Sequence, residues 1–383
     1  MSQPELPDLP DLPDLPDLPD LLVGSYTATG GGNATGISAV HDGVATTVAV
    51  MDDPSFLAVS GDRVYAVSET ADGGVSAFRR SGSGLEHLWD APAGGDAPCH
   101  VRVDPSGTLV VTNYTSGTVT AVSLEQAESH AASVLASDGV VGTHTADRLG
   151  APGTADRLGA HGTAGRLVVP DSAVVTEVLP DVTGPVEDRQ EGPHAHQSIA
   201  TPDGTVLVAD LGGDALHEFR VTADPDLALV RVHHVAPGVG PRHMAWYDGD
   251  LIVAGELDGA VHRLRRDESG SFVVVASAPT FDGEVGDSLL SHIEVDDDGR
   301  VHVAVRGRDL IVVLDASAGG LSVVGSAPSG GVWPRHFARV PGYLLVANQM
   351  SDAIAVLPLD GDGLPGPAAA QIAVGTPACI VPV

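Results

Sequence analysis

The residues best suited to chemistry in this sequence occupy two recurring settings. The first is the second residue of a repeated segment of the form Pro-x-His followed by apolar residues: Ser55, Cys99, His196, Arg242, Ser291, Arg335 and Ala378. The second closes a following apolar run such as VYAVSE, LVVTNY or LIVAGE: Tyr26, Glu69, Tyr114, Leu211, Glu256, Arg306 and Gln349. Arg242, Arg306 and Arg335 are three of only 19 basic residues, all of them arginine. Gathering guanidinium groups costs repulsion unless anions compensate it. Glu69 and Glu256 supply part of that compensation, and a bound phosphate or carboxylate would supply the rest, since arginine forks match both. An arginine cluster polarises a carbonyl, and His196 or Glu256 could take a proton from an attacking water. Histidine is poised for this near neutral pH, whereas glutamate needs a raised pKa. The same residues also fit an Arg–Glu network that only ties repeats together. His196, Glu256 and Arg242 are therefore the candidate catalytic residues, and Arg335, Arg306 and Tyr114 candidate substrate contacts.

The third residue of each segment reads Phe56, His100, Gln197, His243, His292, His336 and Cys379. A histidine that recurs four times suggests a structural hydrogen bond between repeats. His100, His243 and His292 remain candidate substrate-binding residues beside that structural reading. Alternation along a strand places this series on the opposite face from the arginine series.

The elements that must position these residues follow from the spacing. The segment starts at Pro54, Pro98, Ala195, Pro241, Leu290, Pro334 and Pro377 lie 43 to 49 residues apart, except between Pro98 and Ala195. Each start is followed by a turn, a second β-rich run, another turn and a third run, with a fourth in places such as Ser271–Ala278. Four antiparallel strands per unit of this length make a propeller blade, and seven starts make seven blades. The all-β fold expected is one seven-bladed β-propeller over residues 21–383. LLVGSYT, ending at Thr27, matches a second strand, and its missing first strand is the C-terminal ACIVPV. Both chain ends then build one blade, which removes an open sheet edge.

Two segments stand apart. Residues 4–20, PELPDLPDLPDLPDLPD, form no hydrogen-bond ladder, and 1–20 is expected to be a disordered tail. Residues 125–192 hold a tandem duplication, TADRLGAPG then TADRLGAHG, and read as a low-complexity loop insertion in which no catalysis is expected, despite His144 and His161.

The net charge of −32 makes nucleic-acid binding implausible, and the absence of lysine excludes Schiff-base and P-loop chemistry. No GxSxG elbow offers a serine nucleophile. Cys99 and Cys379 form neither a disulfide framework nor a CxxC pair, and the rings are too cationic for Ca²⁺. No metal or cofactor is expected. Neither a signal peptide nor a bilayer-spanning run is seen, which points to a cytoplasmic protein acting on a small anionic molecule, without nucleic acid or membrane and as a monomer.

Gly240–Met244 (GPRHM) with Gly255–Gly259 (GELDG), Pro193–Ser198 (PHAHQS), Leu344–Asp352 (LLVANQMSD), Pro98–Gly107 (PCHVRVDPSG) and Asn113–Gly117 (NYTSG) together resemble the lactonase propeller family. That family includes a bacterial propeller-type 6-phosphogluconolactonase and a fungal enzyme that cyclises 3-carboxymuconate. The resemblance implies a seven-bladed ring, an active site at its central mouth and no required metal. It also implies roles for His196, Arg242, Glu256 and Arg335, which match a histidine, arginines and a glutamate of the cyclase. Gly255 stands where the family's asparagine precedes the glutamate, and VAVRGRD departs from the family in blade six. Three readings follow: hydrolysis of a phosphorylated sugar lactone, cyclisation of an unsaturated dicarboxylate, or a binding propeller without catalysis.

Overall fold

The computed structural model describes residues 18–82, 84–141 and 167–383. Runs of Val, Thr, Ile and Leu, broken by Gly, Asp and Pro turns, pair into seven four-stranded antiparallel sheets. The innermost strands of blades 2 to 7 are Leu57–Ser60, Pro98–Asp104, Ala195–Ala200, Pro241–Tyr247, Leu289–Val295 and Pro334–Val340. Blade 1 takes its innermost strand from the C-terminus: Pro377–Pro382 pairs with Leu21–Ser25, Leu21 opposite Pro382 and Gly24 opposite Cys379. The ring is closed as the repeat demands.

The core lies between blades rather than within one. Ile252, Ala254 and Val261 of blade 5 pack with Leu290, Ile293 and Val303 of blade 6, all at most 2% exposed. Truncating such a residue to alanine costs about 2–5 kcal/mol. The outermost strand of blade 5 lies at the sheet edge, and Val273, Val274 and Val275 on it are exposed.

Two local devices aim the inner strands. Residues just before a blade start adopt left-handed backbone: Asp53, Ala97, Gly240, Trp333 and Thr376, with φ between 36° and 64°. Aspartates in the preceding blade hold several of these bends. Asp214 accepts the Gly240 and Gly238 amides at 2.7 Å each, Asp309 the Trp333 amide at 2.8 Å, and Asp352 the Thr376 amide at 2.9 Å. At Gly240 a Cβ would come within 2.5 Å of the Leu257 side chain, so glycine is required there on two counts. The second device is a β-bulge. In blades 1 and 3 to 7 the first strand slips against the second, leaving unpaired Ala378, Cys99, His196–Gln197, Arg242–His243, Ser291–His292 and Arg335.

The stretch read as a loop insertion is partly ordered structure. Leu124–Val141 is a helix whose Ala127 and Ala131 enter the core beside Trp89, and Glu128 takes Arg63 at 3.0 and 3.1 Å. Val174–Val178 is the outer strand of blade 3. His144, His161 and both complete copies of the duplication lie outside the described residues, as do positions 1–17 of the N-terminal segment. Residues 18–20 do not match the expected disorder: Leu18 packs against the blade 1 and 7 core, and Asp20 bonds His41 at 2.6 Å.

Candidate active site at the mouth of the ring

The bulges change what the inner strands present. Strict alternation would put Arg242 and His243 on opposite faces. Unpairing lets both turn toward the axis, the common use of a bulge beside a site. One small void of about 10 Å³ is lined by Ser55, Cys99, His196, Arg242 and Arg335 of the first series together with Phe56, His243 and His336 of the third. The opposite-face expectation is thereby corrected for Phe56, His243 and His336, which face the channel together with members of the first series.

Above that void opens a cavity of about 340 Å³, within the size range of ligand sites. Its lining contains Cys99, His196, Arg242 and Arg335 from the first series and Tyr26, Glu69, Tyr114, Glu256, Arg306 and Gln349 from the second. Leu211 is the one member of the second series absent from it, and Arg189 is an addition. Of the candidate residues, His196, Glu256, Arg242, Arg335, Arg306 and Tyr114 meet in this cavity; His100, His243 and His292 lie beneath it.

Glu256, 2% exposed, sits among three guanidinium groups. Arg189 Nη2 donates to its Oε1 at 2.5 Å, while Arg242 Nε and Arg306 Nη2 each stand 2.8 Å from its Oε2. The Arg242 approach is an ion pair without hydrogen-bond alignment, so its buried Nε and Nη1 have no hydrogen-bond partner; Arg306 Nε has none either. Burial alone would raise the Glu256 pKa, but Arg306, Arg242 and Arg189 override it and hold the carboxyl down to about 2. Burial and the neighbouring Arg306 and Arg335 pull Arg242 the other way, to about 9, which still leaves it a cation at neutral pH. Across the mouth Arg335 lies over the Tyr26 ring and 3.8 Å from Glu69, whose Oε2 accepts the Tyr26 hydroxyl at 2.8 Å. Four guanidiniums face two carboxylates here, an excess of two positive charges in a chain of net charge −32.

His196 is buried, and burial followed by Arg242, Arg335 and Arg306 holds its pKa well below the ordinary histidine range. It is a neutral imidazole, and its Nδ1 has no hydrogen-bond partner. Cys99 lines the cavity, but burial pushes its pKa up to about 12, so it stays a thiol rather than a nucleophile. The histidines beneath form an apolar-flanked plug: His243 Nδ1 lies 2.9 Å from His292 Nδ1, His292 stacks on His336 at 3.8 Å, and Phe56 contacts His100 at 4.4 Å. Among the described residues no group of three or more His, Cys, Asp or Glu side chains could hold a metal ion.

Sequence reasoning missed Arg189, which comes from the segment set aside as an insertion. The turn carrying it is pinned by Gln190, fully buried, whose Nε2 donates to the Leu211 carbonyl at 2.9 Å and whose backbone takes the Gly184 amide at 2.9 Å. A basic residue seven positions before His196 in so acidic a chain was the available signal.

A larger cavity of about 690 Å³ lies between blades 6 and 7 at the far ends of their inner strands, with Asp296 and Asp360 in its lining. Both carboxylates are engaged: Asp296 takes the Asp298 and Arg300 amides and Arg339, and Asp360 takes the Asp362 and Leu364 amides. Size points there, and Arg339 Nε in its lining is also without a hydrogen-bond partner, but that lining has four carboxylates against two guanidiniums, whereas the excess of positive charge is at the mouth.

A closed ring of seven four-stranded blades, its mouth lined by four arginines and two glutamates, defines a seven-bladed β-propeller. The family model described as "Lactonase, 7-bladed beta-propeller" matches residues 20–153 and 160–382, and the chain belongs to that family. The 6-phosphogluconolactonase of Bacillus subtilis is 30% identical to it over 330 residues, 82% of each chain. Two solved structures share the fold. A protein from Lactobacillus plantarum is 23% identical with a TM-score of 0.75, over 94% of this chain and 98% of that one. The periplasmic gluconolactonase of Pseudomonas aeruginosa is 23% identical with a TM-score of 0.71, over 95% and 98%. Among the described residues no helix is long and apolar enough to cross a membrane.

Proposed function

We propose that this chain hydrolyses a phosphorylated sugar lactone of the 6-phosphogluconolactone type, the activity named for its Bacillus subtilis relative. The observation that carries the reading is the buried, incompletely paired Arg242 inside a cluster with two excess positive charges. An anionic substrate supplies the missing charge. Nη1 of Arg242, which has neither a hydrogen bond nor an ion pair, polarises the lactone carbonyl and stabilises the oxyanion that forms on it, an effect worth about 3–4 kcal/mol per donor in comparable sites. Arg335 and Arg306 orient the substrate, and Tyr114 contacts it.

His196 takes a proton from the attacking water and returns it to the ring oxygen as the acyl C–O bond breaks, leaving one carboxylic acid and one hydroxyl. Its pKa in the free protein is low first because it is buried and then because Arg242, Arg335 and Arg306 face it. A bound anion offsets those charges and raises its basicity when it is needed. Glu256 is the less suited base: a carboxyl held at about 2 accepts protons poorly, and its part is to hold Arg189, Arg242 and Arg306 together. A cytoplasmic site of action belongs to this reading.

The test is acid release from 6-phosphogluconolactone followed at constant pH. Release faster than the spontaneous rate is expected; a rate equal to it would reject the proposal.

A further inference from the structure

Blade 4 breaks the pattern of the mouth. In every other blade a polar or aromatic side chain at or just after the end of the second strand lines the cavity, whereas blade 4 has Leu211 there, fully buried and absent from the lining. Its place is taken by Arg189 from the connection leading into blade 4. Arg189 reaches the Tyr114 hydroxyl of blade 3 at 3.3 Å and Glu256 of blade 5 at 2.5 Å, so it stands between the two blades that flank the missing residue. Gln190, bonded to the Leu211 carbonyl, fixes the substitution in space.

Depth divides the arginines. Arg242 is 3% exposed and sits beside His196, whereas the Arg189 side chain is 31% exposed at the rim. Only Nη2 of Arg189 is engaged, which leaves Nε and Nη1 without a hydrogen bond to any described residue. Charge divides them again. Arg335 has Glu69 beside it, while Arg189, Arg242 and Arg306 share Glu256 alone, so the excess positive charge gathers on the Glu256 side. A substrate whose reacting carbonyl reaches Arg242 and His196 must leave its far end at the rim on that side. The geometry points to Arg189 as the residue that recognises the phosphate of the substrate and sets the preference for phosphorylated over unphosphorylated lactones. This rests on the lactonase reading and assigns a role to a residue outside the repeat.

The experiment compares kcat/KM for 6-phosphoglucono-δ-lactone with that for glucono-δ-lactone, in the full chain and in Arg189→Ala. The ratio is expected to fall at least tenfold, mostly through KM for the phosphorylated substrate, and competitive inhibition by inorganic phosphate is expected to weaken in parallel. A ratio within twofold of the unmodified chain, whether neither rate moves or both fall together, overturns the assignment while leaving the lactonase reading intact. No acceleration of either lactone by the unmodified chain removes both. Should Arg189→Ala fail to fold, Arg189→Gln is read by the same ratio.

Discussion

Two carboxylates in this propeller are held near a pKa of 2 by arginine, and they differ in what surrounds them. Glu218, on the outer part of blade 4, takes Arg266 at 2.7 and 3.2 Å, Thr205 at 2.6 Å and His233 at 3.0 Å. Arg266 completes its own set on the Gly270 carbonyl at 2.7 Å and stacks over Phe272. With Nε 3.6 Å from Asp203, this one guanidinium is balanced by carboxylates, and the network joins blade 4 to blade 5. Glu256 at the mouth has three arginines to itself, and buried N–H groups of Arg242 and Arg306 have no hydrogen-bond partner. The two clusters differ in charge balance: one guanidinium faces Glu218, whereas three share Glu256. Residue type alone does not separate the two cases; the count of partners does.

The comparison can be broken most forcefully at Glu256. Glu256→Ala leaves three cations facing each other in a buried site and is expected to destabilise the fold by about 3–5 kcal/mol in denaturant melts. Glu218→Gln, which keeps size and most hydrogen bonding, is expected to cost about 1–3 kcal/mol and to leave lactone hydrolysis unchanged. A Glu256→Ala variant as stable as the parent would show that the cluster is not held by that carboxylate.

The next largest contrast is between the arginines. Arg242→Met removes an incompletely paired buried cation, so stability is expected to hold or rise while kcat falls by about 10²–10³. Arg266→Met is expected to do the opposite, losing about 1–3 kcal/mol of stability with kcat retained. Paired melting and rate measurements check both, and equal loss of activity in the two variants would erase the distinction.

The histidine plug and His196 above it give a pH signature. His100, His196, His243, His292 and His336 all have pKa values lowered first by burial, His292 to about 3. The unfolded chain therefore binds protons that the folded chain refuses. Their contribution is fully present above about pH 6.5 and is lost as pH falls toward the folded values, at up to about 1.4 kcal/mol per histidine per pH unit. Thermal melts are expected to hold from pH 8 to 7 and to fall steeply from pH 6 to 5; a Tm flat across that range contradicts the buried, neutral plug. A smaller effect is expected at Asp309, which holds the Trp333 bend that leads to Arg335. Asp309→Ala is expected to cost about 1 kcal/mol in melts and to raise KM more than it lowers kcat.

Much of this was legible in the sequence because a repeat is its own control. Seven starts, their spacing and the orphan strand at each end sufficed for the closed ring, and comparing equivalent positions across blades picked out six of the residues that line the mouth cavity as candidates: His196, Arg242, Glu256, Arg306, Arg335 and Tyr114. What escaped lay outside that control. A bulge changes the facing of neighbours without changing residue type, so Arg242 and His243 were assigned to opposite faces when both turn inward. Leu124–Val141 is rich in alanine and small residues and lacks a clear apolar stripe, so it read as filler. Arg189 has no counterpart in any other blade, and only folding brings it beside Glu256.

The central claim is that the unused arginine donors at the mouth hold a small anion. Calorimetric titration of 6-phosphogluconate into the unmodified chain, Arg242→Met and Arg266→Met tests it most directly. The account predicts that the unmodified chain and Arg266→Met bind alike and that Arg242→Met loses at least tenfold in affinity. Binding by Arg242→Met as tight as that of the unmodified chain would contradict it.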